Sequence, residues 1–401
     1  MAAKEHPAVT NFRNYIRIKT VHPNPDYASC TRFLQQQAQE LGAEFQVVEC
    51  VPGMPSVIMT VTGQDPSLPT LLLNSHTDVV PVFPEFWKYD PFDAHKDEKG
   101  DIYGRGTQDM KCVGIQYLEA LKRFKKEGHS FLRTVHLTFV PDEEVGGVGG
   151  MEELVQTEVF KKMNVGLALD EGYANPAEKM IVFYGERSPF WMMVTCQGQP
   201  GHGSQFLPDT AGEKLRRIIN SFMNFRDEEK QKLKDNPSLT LGDVVTVNLT
   251  KLEGGVQFNV VPAELKVGFD IRICPSQLDT FEKKVQEWCK EAGEDISYEV
   301  PVKYFKASEL TCVEDGKNKW WDTFAAACKK VNVQLQKEVF PAATDSRFIR
   351  KAGINALGFS PMNNMPRLLH DHNEFLNEKV FLRGIDIYYQ LILDLANLKP
   401  F

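Results

Sequence analysis

Three short apolar runs of this chain end in ionisable residues, and segments with helical periodicity lie between such runs. The runs are LLLNSHTD (71–78), TVHLTFVPDEE (134–144) and VGLALDE (165–171). Apolar residues at helical spacing mark the segments 29–43 and 110–127, so short strands alternate with helices. This alternation is typical of a mostly parallel sheet that is covered by helices. The sequence therefore predicts an α/β fold.

The pattern changes near residue 186. Over residues 190–304 the order is strand, helix, strand, strand, helix, strand, which is the ferredoxin-like or split βαβ arrangement. The α/β pattern resumes after about residue 309, and a chain of 401 residues favours two domains. We therefore predict a discontinuous catalytic domain, residues 1–185 and 309–401, with an inserted α+β domain, residues 186–308.

The composition argues against several classes of protein. The net charge of −8, the pI of about 5.7 and the lack of a basic stripe predict no nucleic-acid partner. No apolar stretch approaches 18 residues, which predicts no membrane partner. The eight cysteines form no CxxC pair, and the N-terminal segment has no apolar signal region. We read the cysteines as reduced thiols of a cytoplasmic protein.

Ionisable residues cluster where ligands bind in open α/β sheets, at the carboxyl ends of the strands. Each has an ordinary explanation alone, such as an exposed turn, a helix N-cap or a surface histidine. Several carboxylate clusters at one sheet edge would repel one another unless cations were present. Imidazole and carboxylate donors suit zinc, or manganese or cobalt, in a catalytic site. The residues concerned are His76, Asp78, Asp109, Glu143, Glu144, Asp170, Glu171, His370 and His372.

Two spacings within this set bear on chemistry. Residues i and i+2 of an extended chain point to the same face, so His76 and Asp78 are expected side by side. Glu143 and Glu144 are adjacent, so one can bind a metal while the other takes a proton from metal-bound water. The sequence pattern leaves open which glutamate does which. The combination is typical of amide hydrolysis.

Six segments resemble, in order, the motifs of the dinuclear zinc aminoacylase and carboxypeptidase family. HTDVVPVF, NLTKLEGGV, PAATD and LGFSPMN resemble its aminoacylase branch in particular. The resemblance spans essentially the whole chain. It implies a zinc-exopeptidase-like catalytic domain, with residues 186–308 as a lid and dimerisation domain. It also implies that two Zn²⁺ ions per subunit serve the hydrolysis of N-acyl, mainly N-acetyl, L-amino acids. The six segments are SHTDVVP, GRGTQDMK, PDEEVGG, ALDEG, GQPGHGS and LLHDHNE.

The resemblance also implies roles for residues around the metals. Glu143 matches the general base that acts with a metal-bridging hydroxide, and Asp78 matches the partner that orients His76. Within ALDEG it favours Glu171 over Asp170 as a ligand, and within LLHDHNE it favours His370 over His372. The implied metal ligands are His76, Asp109 as the bridging carboxylate, Glu144, Glu171 and His370.

Further roles are implied for the inserted domain and for the substrate. His202 matches a histidine that stabilises the oxyanion in the partner subunit of a homodimer, although a turn histidine among glycines is the alternative. Gly203 departs from the alanine that many relatives carry there. Arg272 offers a bidentate clamp for the substrate α-carboxylate. Asn259 and Thr344 are candidate substrate contacts, with a turn or cap role equally open.

Two rival functions share these residues. A dipeptidase or carboxypeptidase would use the same metal ligands with a differently shaped pocket. A metal-binding scaffold protein without catalysis would belong to another class, but it has no use for the additional carboxylate of Glu143. We therefore expect a hydrolase whose substrate is a small N-acyl amino acid.

Overall fold

The computed structural model describes residues 5–303 and 310–401. The chain forms two compact units, Met1–Tyr184 with Thr311–Lys337 and Thr344–Phe401, and Gly185–Leu310 with Glu338–Ala343. The segment Glu338–Ala343 therefore belongs to the second unit, whereas the sequence placed it in the catalytic domain. The predicted boundary at 308/309 and the end of the predicted strand at residue 304 lie outside the described residues.

Helices and strands alternate through much of the described chain. In chain order the helices are α1 (Pro7–Ile16), α2 (Tyr27–Leu41), α3 (Lys111–Lys126), α4 (Glu158–Lys162), α5 (Ala211–Asp235), α6 (Leu278–Ala292), α7 (Lys319–Lys330), α8 (Ser346–Lys351) and α9 (Glu378–Ala396). The strands are β1 (Glu44–Val51), β2 (Met54–Val61), β3 (Thr70–His76), β4 (His95–Lys96), β5 (Asp101–Tyr103), β6 (Val135–Val140), β7 (Val165–Asp170), β8 (Met180–Glu186), β9 (Ser188–Gln197), β10 (Gly201–His202), β11 (Thr246–Gly254), β12 (Val260–Val261), β13 (Glu264–Ile273), β14 (Ile296–Lys303), β15 (Leu335–Phe340), β16 (Asn355–Phe359) and β17 (Phe375–Asn377).

An eight-stranded sheet, most of whose residues belong to the first unit, has the strand order β1-β2-β6-β3-β7-β16-β8-β15. Strands β6, β3, β7 and β16 form its parallel centre. The pairs β1–β2, β2–β6 and β16–β8 are antiparallel. The predicted α/β fold class is thus confirmed.

The parallel centre explains the apolar runs. Every residue of β3 is buried, including its final His76, because strands covered on both faces need no polar alternation. Parallel strands bring their carboxyl ends to one edge, and the register pairs His76 with Val140. The residues that follow these strands are therefore neighbours at that edge.

The second unit has the predicted β-α-β-β-α-β order. Its antiparallel sheet has the strand order β11-β13-β9-β14, and the unit also contains helices α5 and α6. Phe222 stacks on Phe269 with ring centroids 4.2 Å apart, inside a core that also holds Phe281. A short ribbon, β10 with β12, pairs His202 with Val260.

Two features bear on the predictions from composition. Within residues 5–303 and 310–401, no helix combines the length and the apolar character needed to cross a membrane. All eight cysteines fall within the same ranges, and none forms a disulfide.

Candidate metal and active site

His76 ends β3 with its imidazole held on both sides. Its Nδ1 lies 2.9 Å from the main-chain oxygen of Asp78. Its Nε2 lies 3.0 Å from Oδ1 of Asp109 and 3.6 Å from Oε2 of Glu171. A main-chain acceptor at Nδ1 makes that nitrogen the donor, so Nε2 faces the carboxylates and is available to a metal.

Asp109 stands between two imidazole–carboxylate pairs. Its Oδ1 faces His76, while its Oδ2 lies 3.4 Å from Nε2 of His370. That same nitrogen of His370 is 2.9 Å from Oε2 of Glu144. One oxygen of Asp109 thus points to the pair His76 and Glu171, and the other to the pair His370 and Glu144. This is the placement required of a carboxylate that bridges two cations.

The donors are close enough for metal binding. One atom each from His76, Asp109 and Glu144 lie within 4.8 Å of one another, as do atoms from His76, Glu143 and Glu171. Oε1 of Glu144 is buried and has no hydrogen-bond partner within the described part of the chain. Imidazole and carboxylate donors at this density fit a pair of divalent cations such as zinc.

Burial and neighbouring charges shift the pKa values of several groups in this cluster. Burial, followed by the charge of Asp109, raises the pKa of Glu144 to about 7 and that of Glu171 well above its usual value. Hydrogen bonds to Asp109 and Glu144 raise the pKa of His370 to about 10. Ligands must lose these protons when a metal binds. A divalent cation would therefore replace protons in balancing the buried carboxylates.

The carboxylate of Asp78 holds the turn that carries the two glutamates. Its Oδ1 accepts from the main-chain N–H of Glu143 at 3.2 Å, and its Oδ2 accepts from that of Glu144 at 3.1 Å. Nδ1 of His76 is 3.5 Å from Oδ1 of Asp78, farther than from the main-chain oxygen of the same residue. The carboxylate of Asp78 thus holds the turn and also lies beside the imidazole of His76, whose nearer acceptor is the main-chain oxygen of Asp78. The orienting role of Asp78 toward His76 stays a prediction.

Sequence reasoning missed two partners of the site. Glu374 is fully buried, pairs with Arg105 at 2.8 Å and accepts from the main-chain N–H groups of Gly106, Gln108 and Asp109. Glu374 therefore fixes the loop that presents Asp109. Its place at the end of the motif LLHDHNE was a sequence signal that could have identified it as a site residue. Nε2 of His22 lies 2.8 Å from Oδ2 of Asp78, and no motif pointed to it.

Comparison with known proteins identifies the family. The model of the family described as peptidase family M20/M25/M40 matches residues 72–394. The chain belongs to this family. It is 56% identical to aminoacylase-1 of Mus musculus over 394 residues, covering 98% of this chain and 96% of the relative. The predicted family and its aminoacylase branch are thus confirmed.

Solved structures of the M20 family share the fold. An M20 metallo-carboxypeptidase of Sulfolobus solfataricus has a TM-score of 0.72 at 18% identity, covering 98% of this chain and 100% of the other. A dinuclear metal-binding M20 peptidase of Bacillus subtilis has a TM-score of 0.68 at 14% identity, with 97% of each chain covered. At these identities the likeness shows the fold.

The two carboxylates of the segment ALDEG, Asp170 and Glu171, have different partners in this M20 chain. Asp170 accepts from Nδ2 of Asn74 at 3.0 Å and from Oγ of Ser346 at 2.7 Å. Its carboxylate is thereby engaged in the core, whereas Glu171 faces His76.

Substitution of these neighbours should give different results. Glu171→Gln should weaken metal binding by more than the roughly 10- to 100-fold that loss of an outer partner costs. Asp170→Asn should keep the metal but lose about 1–3 kcal/mol of stability, because one donor is left unpaired. Metal titration and thermal unfolding of both variants check this. Equal metal loss in the two would contradict the choice of Glu171.

The remaining predicted site residues form hydrogen bonds or ion pairs with residues of their own unit. In the second unit, His202 is exposed with Nδ1 2.8 Å from Oγ of Ser204. The exposed Asn259 accepts from the N–H of Gly203 through its main-chain oxygen. Arg272 forms a two-pronged pair with Asp270, at 2.8 and 3.1 Å.

Thr344 belongs to the first unit, where it is buried. Its Oγ1 accepts from the N–H of Ser346 at 3.2 Å, which is the turn role left open from sequence. Substrate contacts by Thr344, Asn259 and Arg272 stay predictions, as does the role of His202.

Proposed function

We propose that this chain hydrolyses the amide bond of N-acyl, mainly N-acetyl, L-amino acids to a carboxylate and a free L-amino acid. The observation that carries this is the position of Asp109 between His76 with Glu171 and His370 with Glu144. The 56% identity to mouse aminoacylase-1 over nearly the full length supports the substrate class.

The donor set supports two Zn²⁺ ions per subunit. His76 and Glu171 would hold one ion, and Glu144 and His370 the other, with Asp109 shared. When bound, zinc polarises the amide carbonyl and lowers the pKa of water to about 7. The B. subtilis M20 peptidase that shares the fold is a dinuclear metal-binding protein.

Glu143 is the proposed general base. Burial raises the pKa of its carboxyl well above the usual value, and a carboxyl group of raised pKa is a better proton acceptor than an ordinary one. It accepts a proton from the attacking water as the new C–O bond forms. It then returns that proton to the amine nitrogen as the C–N bond breaks. The hydrogen bond from its N–H to Asp78 keeps it in place.

A homodimer that supplies His202 from the partner subunit is the proposed working unit. Three apolar side chains near the ribbon of β10 and β12 support an interface with a second copy. Phe206 and Phe258 are fully exposed, and Val256 is 89% exposed. Large apolar side chains that are exposed on neighbouring segments are typical of interaction sites. The partner's copy of His202 would stabilise the oxyanion.

The variant Phe258→Asp tests this assembly. A charge in the apolar interface should convert the dimer to a monomer and sharply reduce turnover. Leu241→Asp is the matched control, because Leu241 is also exposed and lies in the same unit but off the ribbon. Light scattering on both variants measures the mass. A dimeric Phe258→Asp with full activity would contradict the proposal.

Substrate binding and location complete the proposal. The guanidinium of Arg272, aligned by Asp270, would clamp the α-carboxylate of the substrate. Asn259 and Thr344 would add contacts. Unpaired cysteines favour a reducing compartment, so we propose a cytoplasmic location.

A substrate panel separates this activity from its nearest rival. We expect N-acetyl derivatives of methionine, leucine and alanine to show higher kcat/KM than the corresponding dipeptides with a free amino group. Preference for the dipeptides would favour the dipeptidase or carboxypeptidase function instead.

A further inference from the structure

His22 lies against the buried carboxylate of Asp78. Its Nε2 is 2.8 Å from Oδ2 of Asp78. The side chain of His22 is 12% exposed, and that of Asp78 is fully buried. A buried carboxylate is costly unless polar groups pair with it. His22 provides a side-chain donor to this oxygen, beside the main-chain N–H of Glu144.

The main chain, rather than chance side-chain packing, brings His22 to this position. The segment after α1 runs parallel to the chain that leaves β3, with a bridge between Val21 and Val79. Val79 donates to the oxygen of Thr20 at 2.9 Å, and His22 donates to the oxygen of Val79 at 3.2 Å. Oγ1 of Thr20 donates to the oxygen of Thr77. Position 22 is therefore fixed with respect to Asp78.

Asp78 connects His22 to the two glutamates. Its two oxygens accept from the N–H groups of Glu143 and Glu144. The terminal torsion of an aspartate has broad minima, so the carboxylate plane must be fixed by its partners. Without the donor at position 22, Oδ2 loses its shortest contact. The turn that carries Glu143 and Glu144 would then be less firmly held.

We propose that His22 is a positioning residue of the active site. By holding the carboxylate of Asp78, it fixes the main chain of Glu143 and Glu144. It thereby sets where Glu144 meets a metal and where Glu143 transfers a proton. The roles of the two glutamates rest on the proposed function, whereas the contact that His22 makes does not.

Three variants of the full-length protein test the proposal. His22→Met removes the donor, and His22→Gln keeps an amide N–H at about the position of Nε2. His136→Met is the matched control, because His136 is a buried histidine whose Nδ1 bonds to Thr60, outside the cluster. Zinc affinity, measured by competition with a chromophoric chelator, is the first readout. Values of kcat and KM for N-acetyl-L-methionine and the melting temperature are the others.

We expect His22→Met to lower zinc affinity and kcat roughly 10- to 100-fold, as for other outer partners of metal sites, with little change in KM. His22→Gln should stay close to wild type. His136→Met should lower only the melting temperature. Wild-type zinc affinity and kcat in His22→Met would overturn the proposal, as would a loss in His22→Gln equal to that in His22→Met.

Two further outcomes are also decisive. If His22→Met does not fold, His22→Gln decides, because lost zinc affinity in that variant overturns the proposal and retained affinity supports it. A second case is a wild type that does not hydrolyse N-acetyl-L-methionine, while zinc affinity is lowered in His22→Met and kept in His22→Gln. The proposed function then fails. The positioning role of His22 is supported in that case.

Discussion

Glu143→Gln is expected to retain bound metal and to lose turnover of N-acyl amino acids by roughly 10²- to 10⁴-fold. The amide keeps the size of the side chain and the main-chain bond to Asp78, but it cannot accept a proton from water. Values of kcat and metal content should be measured on the same preparation. The metal analysis is essential, because Glu143 lies within donor distance of His76 and Glu171.

Glu153→Gln is the control for this substitution. Glu153 is exposed ten residues along the same segment and should tolerate the change. Near wild-type kcat in Glu143→Gln would contradict the base assignment. Loss of metal from Glu143→Gln would instead make Glu143 a ligand.

Asp109→Asn should have the broadest effect on metal content. The two oxygens of Asp109 face different imidazoles, His76 and His370. Asparagine offers one carbonyl oxygen, and its amide nitrogen is not a metal ligand. We therefore expect at most one ion per chain and almost complete loss of activity.

Metal analysis and activity of Asp109→Asn check this expectation. Asp93→Asn is the control, because Asp93 is an exposed turn residue of the same unit. Two ions per chain in Asp109→Asn would contradict a bridging role. Metal loss in Asp93→Asn would show that the measurement responds to stability rather than to ligation.

The architecture was largely predictable because its periodicity is strong. Continuous apolar runs identified β3, β6 and β7, and the helical periodicity of residues 29–43 identified α2, which ends at a left-handed Gly42. Strands β8 and β15 were not predicted. A run such as MIVFYGE has no clear strand or helix period, and β8 pairs antiparallel with a strand far along the chain.

The candidate site was likewise predictable only in part. Motifs at strand ends identified the residues that cluster around Asp109. Contacts between distant segments were not predicted: Glu374 meets Arg105 across 269 positions, although it lies in a recognised motif, and His22 meets Asp78 across 56 with no motif at all. The strand spacing also did not predict that the main-chain oxygen of Asp78, at 2.9 Å, is a nearer acceptor for Nδ1 of His76 than its carboxylate, at 3.5 Å. Contacts of this kind depend on tertiary packing, which local patterns do not encode.

Hydrolysis of N-acetyl-L-methionine, with metal content determined on the same sample, tests the central claim most directly. We expect turnover with about two zinc ions per chain, lost on treatment with a chelator and restored by zinc. A protein that holds two ions but does not turn over the substrate would contradict the proposed activity. A protein that binds no zinc after incubation with it would contradict the ligand assignment itself.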